Sequence, residues 1–300
     1  MYQIRTDLAL ETQEKMQEDK VDLKGVRYFE EEVDKNLVIS TVVIETENGA
    51  KTMGKPKGTY ITIEAGNMDE EDEDYHREIS KQLAGVIQKL VPVKKEELSV
   101  LVVGLGNRAV TPDSLGPRVV DNLFITRHIL KEYGRFAFGK EGMNRISSIV
   151  PGVMAQTGME SYEIIKGIAE TTKPDAVIVV DALAARNTKR LNRTIQIADT
   201  GIHPGSGVGN HRNEISKETL GVPVIAIGVP TVVDAATIVR DTMENLLSTL
   251  ETDDKYEMMQ ELIAPHLYGM FVTPKDIDES IDRIGATIAE GLNLLFTKGA

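Results

Sequence analysis

Leu101–Arg118, LVVGLGNRAVTPDSLGPR, is the stretch that decides the fold class. It continues an apolar run, Ser99–Val103, which is typical of a strand buried on both faces of a parallel sheet. Gly104 and Gly106 allow a tight turn after the strand, and the following loop carries one acid, Asp113, just before an amphipathic helix. Because open α/β sheets bind their ligands at the loops that follow parallel strands, Asp113 is a candidate functional residue.

A second apolar strand, Ala176–Val180, is followed directly by Asp181. Acids from two neighbouring strand ends can share one crevice, and this convergence is the central functional prediction. Each acid also has a simpler interpretation. Asp113 can cap the helix that follows it, and Asp181 can form a structural ion pair with Arg186 or Arg193.

Further strands alternate with helical patterns over residues 98–250. This alternation predicts an α/β fold with a largely parallel sheet flanked by helices, a three-layer sandwich of the phosphorylase/hydrolase-like kind. Alternating β-branched segments predict a small β-rich addition at residues 25–65. Residues 251–300 read as a C-terminal helical region. Residues 1–24 are charged and lean towards helix, but they show no convincing core face.

Composition excludes several functional classes. The 300 residues contain no cysteine, so disulfides, thiolate nucleophiles and Cys-ligated metals are excluded. A net charge of -13 and an aromatic content of 5% without Trp argue against nucleic-acid partners. Neither a basic, apolar leader nor an apolar run of ~18 residues is present, so we expect an intracellular protein that does not bind membranes.

Other strand ends carry candidate residues as well. The glycine-rich loop Asp199–Arg212 can present backbone N–H groups to a crevice or fold over it. Its His203 and His211 can act as metal ligands or acid–base groups, or can be ordinary loop residues. Asp234 is most simply a helix N-cap, and Pro151–Gly158 is expected to line the same crevice wall. The GLGN turn lacks the spacing of a dinucleotide-binding motif, which disfavours nucleotide binding.

Five blocks of sequence together resemble the germination protease family, the spore proteases of endospore-forming bacteria. In order, they are TPDSLGPRVVDNL from Thr111, PGVMAQTGMES from Pro151, VVDALAAR from Val179, DTGIHPGSGVGNHR from Asp199 and GVPVIAIGVPTVVDA from Gly221. The resemblance extends from RTDLALE near the N-terminus to VTPKDID near the C-terminus. It implies an α/β fold related to that of the hydrogenase maturation endopeptidases.

The resemblance implies a self-processing aspartic-type endopeptidase that degrades small acid-soluble spore proteins during germination. Such proteases are made as zymogens, associate as homotetramers and act in the cytoplasm of the forespore and spore core. They cut after Glu or Asp and before an aliphatic residue followed by Ala. Asp7-Leu8-Ala9 matches this pattern, so residues 1–7 would be a propeptide and residues 8–300 a single protease domain.

The family's catalytic acids fall on Asp113 and Asp181, with no cofactor required. In the related maturation proteases the matching positions contact a metal, so a divalent ion held by Asp113, Asp181 and His203 is the alternative. The chain departs from the family in its short propeptide and in an abbreviated segment between residues 250 and 262. A metal-dependent maturation-type peptidase and a non-catalytic peptide-binding protein therefore stay open.

With neither a Cys nucleophile nor a Ser–His–acid arrangement, water is the expected nucleophile of such a protease. One carboxylate of the pair would accept a proton from water, and the other would polarise the scissile carbonyl. Preference for an acidic residue before the cut requires a cation, and the candidates are Arg186, Arg193 and Arg212.

Overall fold

The computed structural model describes residues 6–66, 68, 70–91, 97–134, 137, 143–204, 213–239, 242, 267 and 269–297. Its strands are β1 (Val26–Asp34), β2 (Leu37–Ile44), β3 (Gly58–Ala65), β4 (Ser99–Gly104), β5 (Arg145–Ile149), β6 (Ala176–Ala185), β7 (Thr194–Ala198), β8 (Val224–Asp234) and β9 (Phe271–Val272). Its helices are α1 (Ala9–Glu18), α2 (Glu47–Met53), α3 (Glu73–Leu90), α4 (Leu115–Asp121), α5 (Arg127–Tyr133), α6 (Met154–Thr157), α7 (Ser161–Thr172), α8 (Lys217–Leu220) and α9 (Ile277–Phe296). Among these residues, we find no helix with the length and apolar character needed to cross a bilayer.

These strands form one sheet in the order β1-β2-β3-β7-β8-β6-β4-β5, and β9 pairs with β8. Three pairings are parallel and define a parallel block: β4 with β5, β4 with β6, and β6 with β8. The remaining pairings are antiparallel. The α/β class is thus confirmed, with a mixed sheet. The β-rich addition at residues 25–65 extends that same sheet, because β3 pairs with β7.

Strand β4 is buried on both faces, as its apolar run predicts. Val100 and Val102 face a cluster that includes residues of α3 and α9. Leu101 and Val103 face the opposite cluster, which includes Ile165 of α7. Helices therefore cover both faces of the parallel block, and this gives the predicted three layers.

Strands β6 and β8 are longer than the sequence patterns predict. Asp181 was expected at a strand end, but β6 continues to Ala185 and places this acid within the strand. Past Val180 the two strands keep pairing with each other, with Asp181 opposite Gly228, and the register shifts after Leu183. The extension forms because the DALAA segment is apolar enough to stay buried between its neighbours.

The helix expected near residues 117–131 is instead two helices, α4 and α5. The chain between them is tied to β5, because Thr126 N–H donates to the Ile146 carbonyl at 3.2 Å. Its hydroxyl also donates to the Asn144 carbonyl at 2.6 Å. The helix expected near residues 235–250 begins at Ala235, and most of it lies outside the described residues, as does the segment 256–263.

The N-terminal segment is anchored to the sheet, which corrects the expectation of a terminus without a core face. Leu8 and Ala9 are fully buried and contact two different apolar clusters. The cluster around Leu8 includes Leu183 and Val233. Adjacent buried residues do not follow the 3.6-residue period of an amphipathic helix, so hydrophobic periodicity does not predict this anchoring.

Gly116 allows α4 to pack directly on the sheet. A Cβ at this position would lie 2.3 Å from the Leu105 carbonyl oxygen and 2.6 Å from that of Val180. We expect Gly116→Ala to lower the free energy of unfolding by about 1–3 kcal/mol, as overpacking does. Chemical denaturation measures the change.

Gly85→Ala is the matched control, because a Cβ on this α3 glycine meets no atom within 4 Å. We expect this variant to gain about 0.5–1 kcal/mol from the better helix propensity of alanine. Equal stability of the two variants would show that α4 does not need the close approach.

Candidate active site

The turn after β4 brings three backbone segments together. Leu105 N–H donates to the Val180 carbonyl at 2.8 Å, and Asn107 N–H donates to the Asp113 carbonyl at 2.9 Å. Gly106 lies between these two bonds with φ +113°, and a Cβ there would be 1.9 Å from the Asp113 carbonyl oxygen. Only glycine suits this position, so the turn sets Asp113 against the strand that carries Asp181.

Asp113 is the last residue of a short 3-10 turn, Thr111–Asp113, and is partly exposed. The helix that follows has Ser114 as its N-cap, without a side-chain capping bond. The structure therefore places the helix N-cap at Ser114, one residue after Asp113. The turn is fastened to β8, since Thr231 Oγ1 donates to the Pro112 carbonyl at 2.7 Å.

Asp181 is buried, with 7% of its surface exposed. Its Oδ1 accepts a hydrogen bond from Ala182 N–H at 3.0 Å. This bond holds the carboxyl group against the backbone of its own strand.

The two acids stand at the switch point of the parallel strands. From β4 the chain proceeds to β5 on one side, and from β6 it proceeds towards β8 on the other. Ligand crevices of open α/β sheets form where successive connections leave in opposite directions. Asp113 follows β4 and Asp181 lies on β6, so this end of the sheet holds both.

A cavity of about 530 Å³ opens beside the turn. The walls come from the loop after β4 and from the segment after β5, and Gln156 Nε2 donates to Asn107 Oδ1 at 3.0 Å across them. The segment Pro151–Gly158 thus lines a cavity beside the turn. Neither Asp113 nor Asp181 is among the described residues that line it, so a crevice shared with the two acids stays a prediction. The lining residues are Gly106, Asn107, Arg108, Ala109, Val150, Pro151, Gly152, Gln156 and Thr157.

His203 is half exposed, and its Nε2 lies 3.8 Å from Glu214 Oε1. Within the part of the chain that the structure describes, no three His, Asp or Glu side chains are grouped to hold a metal ion. The set Asp113, Asp181 and His203 is therefore not assembled as a metal site. His211 and Arg212 lie outside the described residues.

Asp234 caps the following helix, as predicted. Its Oδ1 accepts a hydrogen bond from Thr237 N–H at 3.0 Å, and the side chain is buried. This structural role explains the acid without assigning it chemistry.

The predicted cleavage site, Asp7–Leu8, pairs with the extension of β6. Asp7 N–H donates to the Ala184 carbonyl at 3.0 Å, and Ala184 N–H donates to Asp7 Oδ2 at 2.9 Å. The Asp7 carbonyl oxygen accepts from Lys55 Nζ at 2.9 Å and from Gln196 Nε2 at 3.1 Å. The segment is therefore held to the edge of β6 by one backbone hydrogen bond and one bond to the Asp7 carboxylate.

The sequence analysis missed Lys55 and Gln196. Gln196 carries a usable signal, because it is the polar residue in an apolar strand, TIQIA, and is buried. Lys55 follows a turn in a Gly/Lys-rich stretch and carries no such signal. Burial lowers the pKa of Lys55, while the negative charges of Asp7 and Glu11 oppose this shift.

Arg190 fastens α1 to the sheet and was also missed. Its guanidinium donates to both carboxylate oxygens of Glu14 at 2.7 Å and to Glu64 Oε1 at 3.0 Å. Glu11, 3% exposed, lies 3.6 Å from it and also accepts the N–H groups of residues 186 and 187. Burial disfavours the charged form of Arg190, but the bond to Glu14 and the surrounding charges outweigh it and raise its pKa.

Fold and site together define an α/β protein with two acids at the switch point of its parallel strands, where enzymes of this architecture carry out their chemistry. The germination protease family matches residues 4–252. The chain belongs to the germination protease family, and it is accordingly a germination endopeptidase, a hydrolase of peptide bonds.

Relatives support the same assignment over almost the whole chain. A germination protease of Caldanaerobacter subterraneus is 48% identical, and the alignment covers 99% of this chain and 95% of the relative. A germination protease of Clostridium perfringens is 42% identical, covering 98% and 95%. That of Bacillus subtilis is 41% identical, covering 97% and 93%.

Among solved structures, the NiFe hydrogenase maturation protease HycI of Thermococcus kodakarensis is similar to 69% of this chain. The match covers 99% of that protein at 19% identity, with a TM-score of 0.34. A likeness this weak carries no argument about this chain.

Removing the Arg190 charge tests the anchor of α1. We expect Arg190→Met to cost about 3 kcal/mol of unfolding free energy, because the buried Glu11 would lose its cation. Denaturant titration measures the loss. Lys15→Met is the control, since Lys15 bonds Asp19 on the outer face of the same helix, and such exposed pairs contribute under about 1 kcal/mol. Similar losses in both variants would contradict an anchoring role.

Proposed function

We propose that this chain is a self-processing endopeptidase that degrades small acid-soluble spore proteins during germination. It cuts after Glu or Asp and before an aliphatic residue followed by Ala. Asp113 and Asp181 activate the attacking water. The observation that supports this function best is the position of both acids beside the Leu105–Gly106 turn, at the switch point of the sheet.

Two neighbouring carboxyl groups do not both ionise easily, so one of the pair keeps its proton. In this proposal Asp181 is the base and Asp113 the acid. Asp181 takes a proton from water, whose oxygen attacks the scissile carbonyl carbon. Asp113 donates its proton to the carbonyl oxygen. When the C–N bond then breaks, Asp181 passes the proton from water to the leaving amine nitrogen, and Asp113 recovers its own proton as the carboxyl product forms. Because the two groups titrate together, apparent pKa values of the reaction belong to the pair.

Acid–base assistance contributes typically ~10²–10⁴-fold, so the charge developing on the carbonyl oxygen requires further donors. Backbone N–H groups of the glycine-rich loop Asp199–Arg212 are the proposed source. Arg186, Arg193 and Arg212 are the proposed cations for the acidic residue before the cut.

The same chemistry, applied to this chain, cuts between Asp7 and Leu8 and releases residues 1–7 as a propeptide. Asp7-Leu8-Ala9 fits the proposed substrate pattern. We further propose that the protease works as a homotetramer in the cytoplasm of the forespore and spore core, in keeping with the resemblance of its sequence blocks to the spore proteases.

Intact-mass measurements over time on the purified chain, with a spore-type peptide added, test this function. The parent should lose Met1–Asp7 and cleave the peptide. Asp113→Asn and Asp181→Asn should each slow both reactions by about a hundredfold or more, because each removes one acid–base group.

Asp282→Asn is the control, because Asp282 is an exposed acid that bonds Arg118 on the surface. It should process at the parent rate. Loss of both reactions with a chelator, restored by one divalent ion, would favour the metal-dependent peptidase. Peptide binding without any cleavage would favour the non-catalytic alternative.

A further inference from the structure

The bond proposed for self-cleavage lies in a folded segment that is held on both sides. Gln196 spans the bond: its amide nitrogen donates to the Asp7 carbonyl, and its Oε1 accepts from Ala9 N–H at 2.6 Å. Lys55 Nζ is the second donor to the same carbonyl oxygen. The Leu8 side chain between these contacts is fully buried.

Contacts at residues 6 and 11 close the segment further. Leu8 N–H donates to Thr6 Oγ1 at 3.1 Å, and the Thr6 hydroxyl donates to Glu11 Oε2. Glu11 is fixed in turn by the N–H groups of Arg186 and Asn187 at 2.7 and 2.9 Å. Access to the carbonyl carbon of Asp7 therefore requires several buried contacts to break together.

The segment also lies away from Asp181. Asp7 pairs with Ala184, three residues beyond Asp181 on β6. At about 3.3 Å per residue, that offset is roughly 10 Å along the strand. A general base must come within hydrogen-bonding reach of the attacking water, so the folded segment does not present its bond to Asp181.

We propose that Gln196 and Lys55 form a clamp that protects the Asp7–Leu8 bond, and that hydrolysis proceeds only after residues 6–11 leave the clamp. The inference rests on the proposed function. In the opened state, the oxygen of water adds to the Asp7 carbonyl carbon and the bond to Leu8 nitrogen breaks. One proton of the water goes to the new amine, and the carboxylate of Asp7 leaves with residues 1–7.

A protective clamp and a role in catalysis predict opposite effects on the rate of self-cleavage. When opening precedes cleavage, the observed rate is the opening equilibrium constant multiplied by the rate of the opened state. Weakening the clamp therefore speeds self-cleavage. If Gln196 and Lys55 instead positioned the bond for attack, the same change would slow it.

Gln196→Leu in the full chain is the first test, with Lys55→Met as a second variant that leaves β7 intact. Gln82→Leu is the control, because Gln82 bonds Glu78 within α3. Hydrogen exchange at Asp7, whose N–H donates to the Ala184 carbonyl in a bond that neither variant removes, reports opening. Intact mass reports self-cleavage at equal protein concentrations. Cleavage of an added spore-type peptide reports whether the acid pair still works.

We expect exchange at Asp7 and self-cleavage to accelerate together, by about tenfold or more in Gln196→Leu, since the buried Ala9 N–H loses its acceptor. The rate of cleavage of the added peptide should be the same in both variants as in the parent. Gln82→Leu should match the parent in all three measurements. Unchanged exchange in both variants, or faster exchange with unchanged or slower self-cleavage, would overturn the clamp. A parent and variants that all stay intact would overturn it too, and the peptide assay would then show whether the proposed function has failed as well.

Discussion

The structure depends on β6 continuing beyond the end of its neighbour β4. Up to Gly104 the edge of β6 is paired with β4, and Val180 next accepts the N–H of Leu105. Farther along, Ala184 pairs with Asp7. One strand edge therefore supports the parallel sheet, the turn beside the candidate acids and the N-terminal segment in succession. Backbone N–H and C=O groups that were buried on that edge without partners would lower the stability of the fold. Each of the three segments supplies hydrogen-bond partners for some of these groups.

Backbone segments approach each other closely at the turn after β4, and this explains why the sequence has glycine at positions 106 and 116. Gly106 and Gly116 each occupy a place where a Cβ would collide with backbone atoms. Their absence of side chains lets α4 and the loop after β4 rest directly against β6. The motif that resembles a nucleotide-binding turn thus serves packing and the placement of Asp113.

Buried charge acts together with apolar contact to orient the N-terminal segment. Glu11 is almost completely buried, and Arg190, 12% exposed, supplies its cation together with bonds to Glu14 and Glu64. Burying an unpaired charge is unfavourable, so these groups favour one arrangement of the segment over other compact ones. The same arrangement brings the Asp7 carbonyl to Lys55 and Gln196, which links the anchor of α1 to protection of the proposed cleavage site.

By itself, the sequence determined the α/β class and the two-sided burial of β4, and it pointed to Asp113 and Asp181 as candidate residues. These follow from apolar runs and from acids placed after them, which are local properties of the chain. Only the tertiary structure decided that Asp181 lies within a strand, that residues 25–65 extend the main sheet, and that the N-terminal segment is anchored to that sheet. Each of these depends on pairing between residues far apart in the chain, such as Asp7 with Ala184, and no local pattern encodes which distant edge a segment will meet.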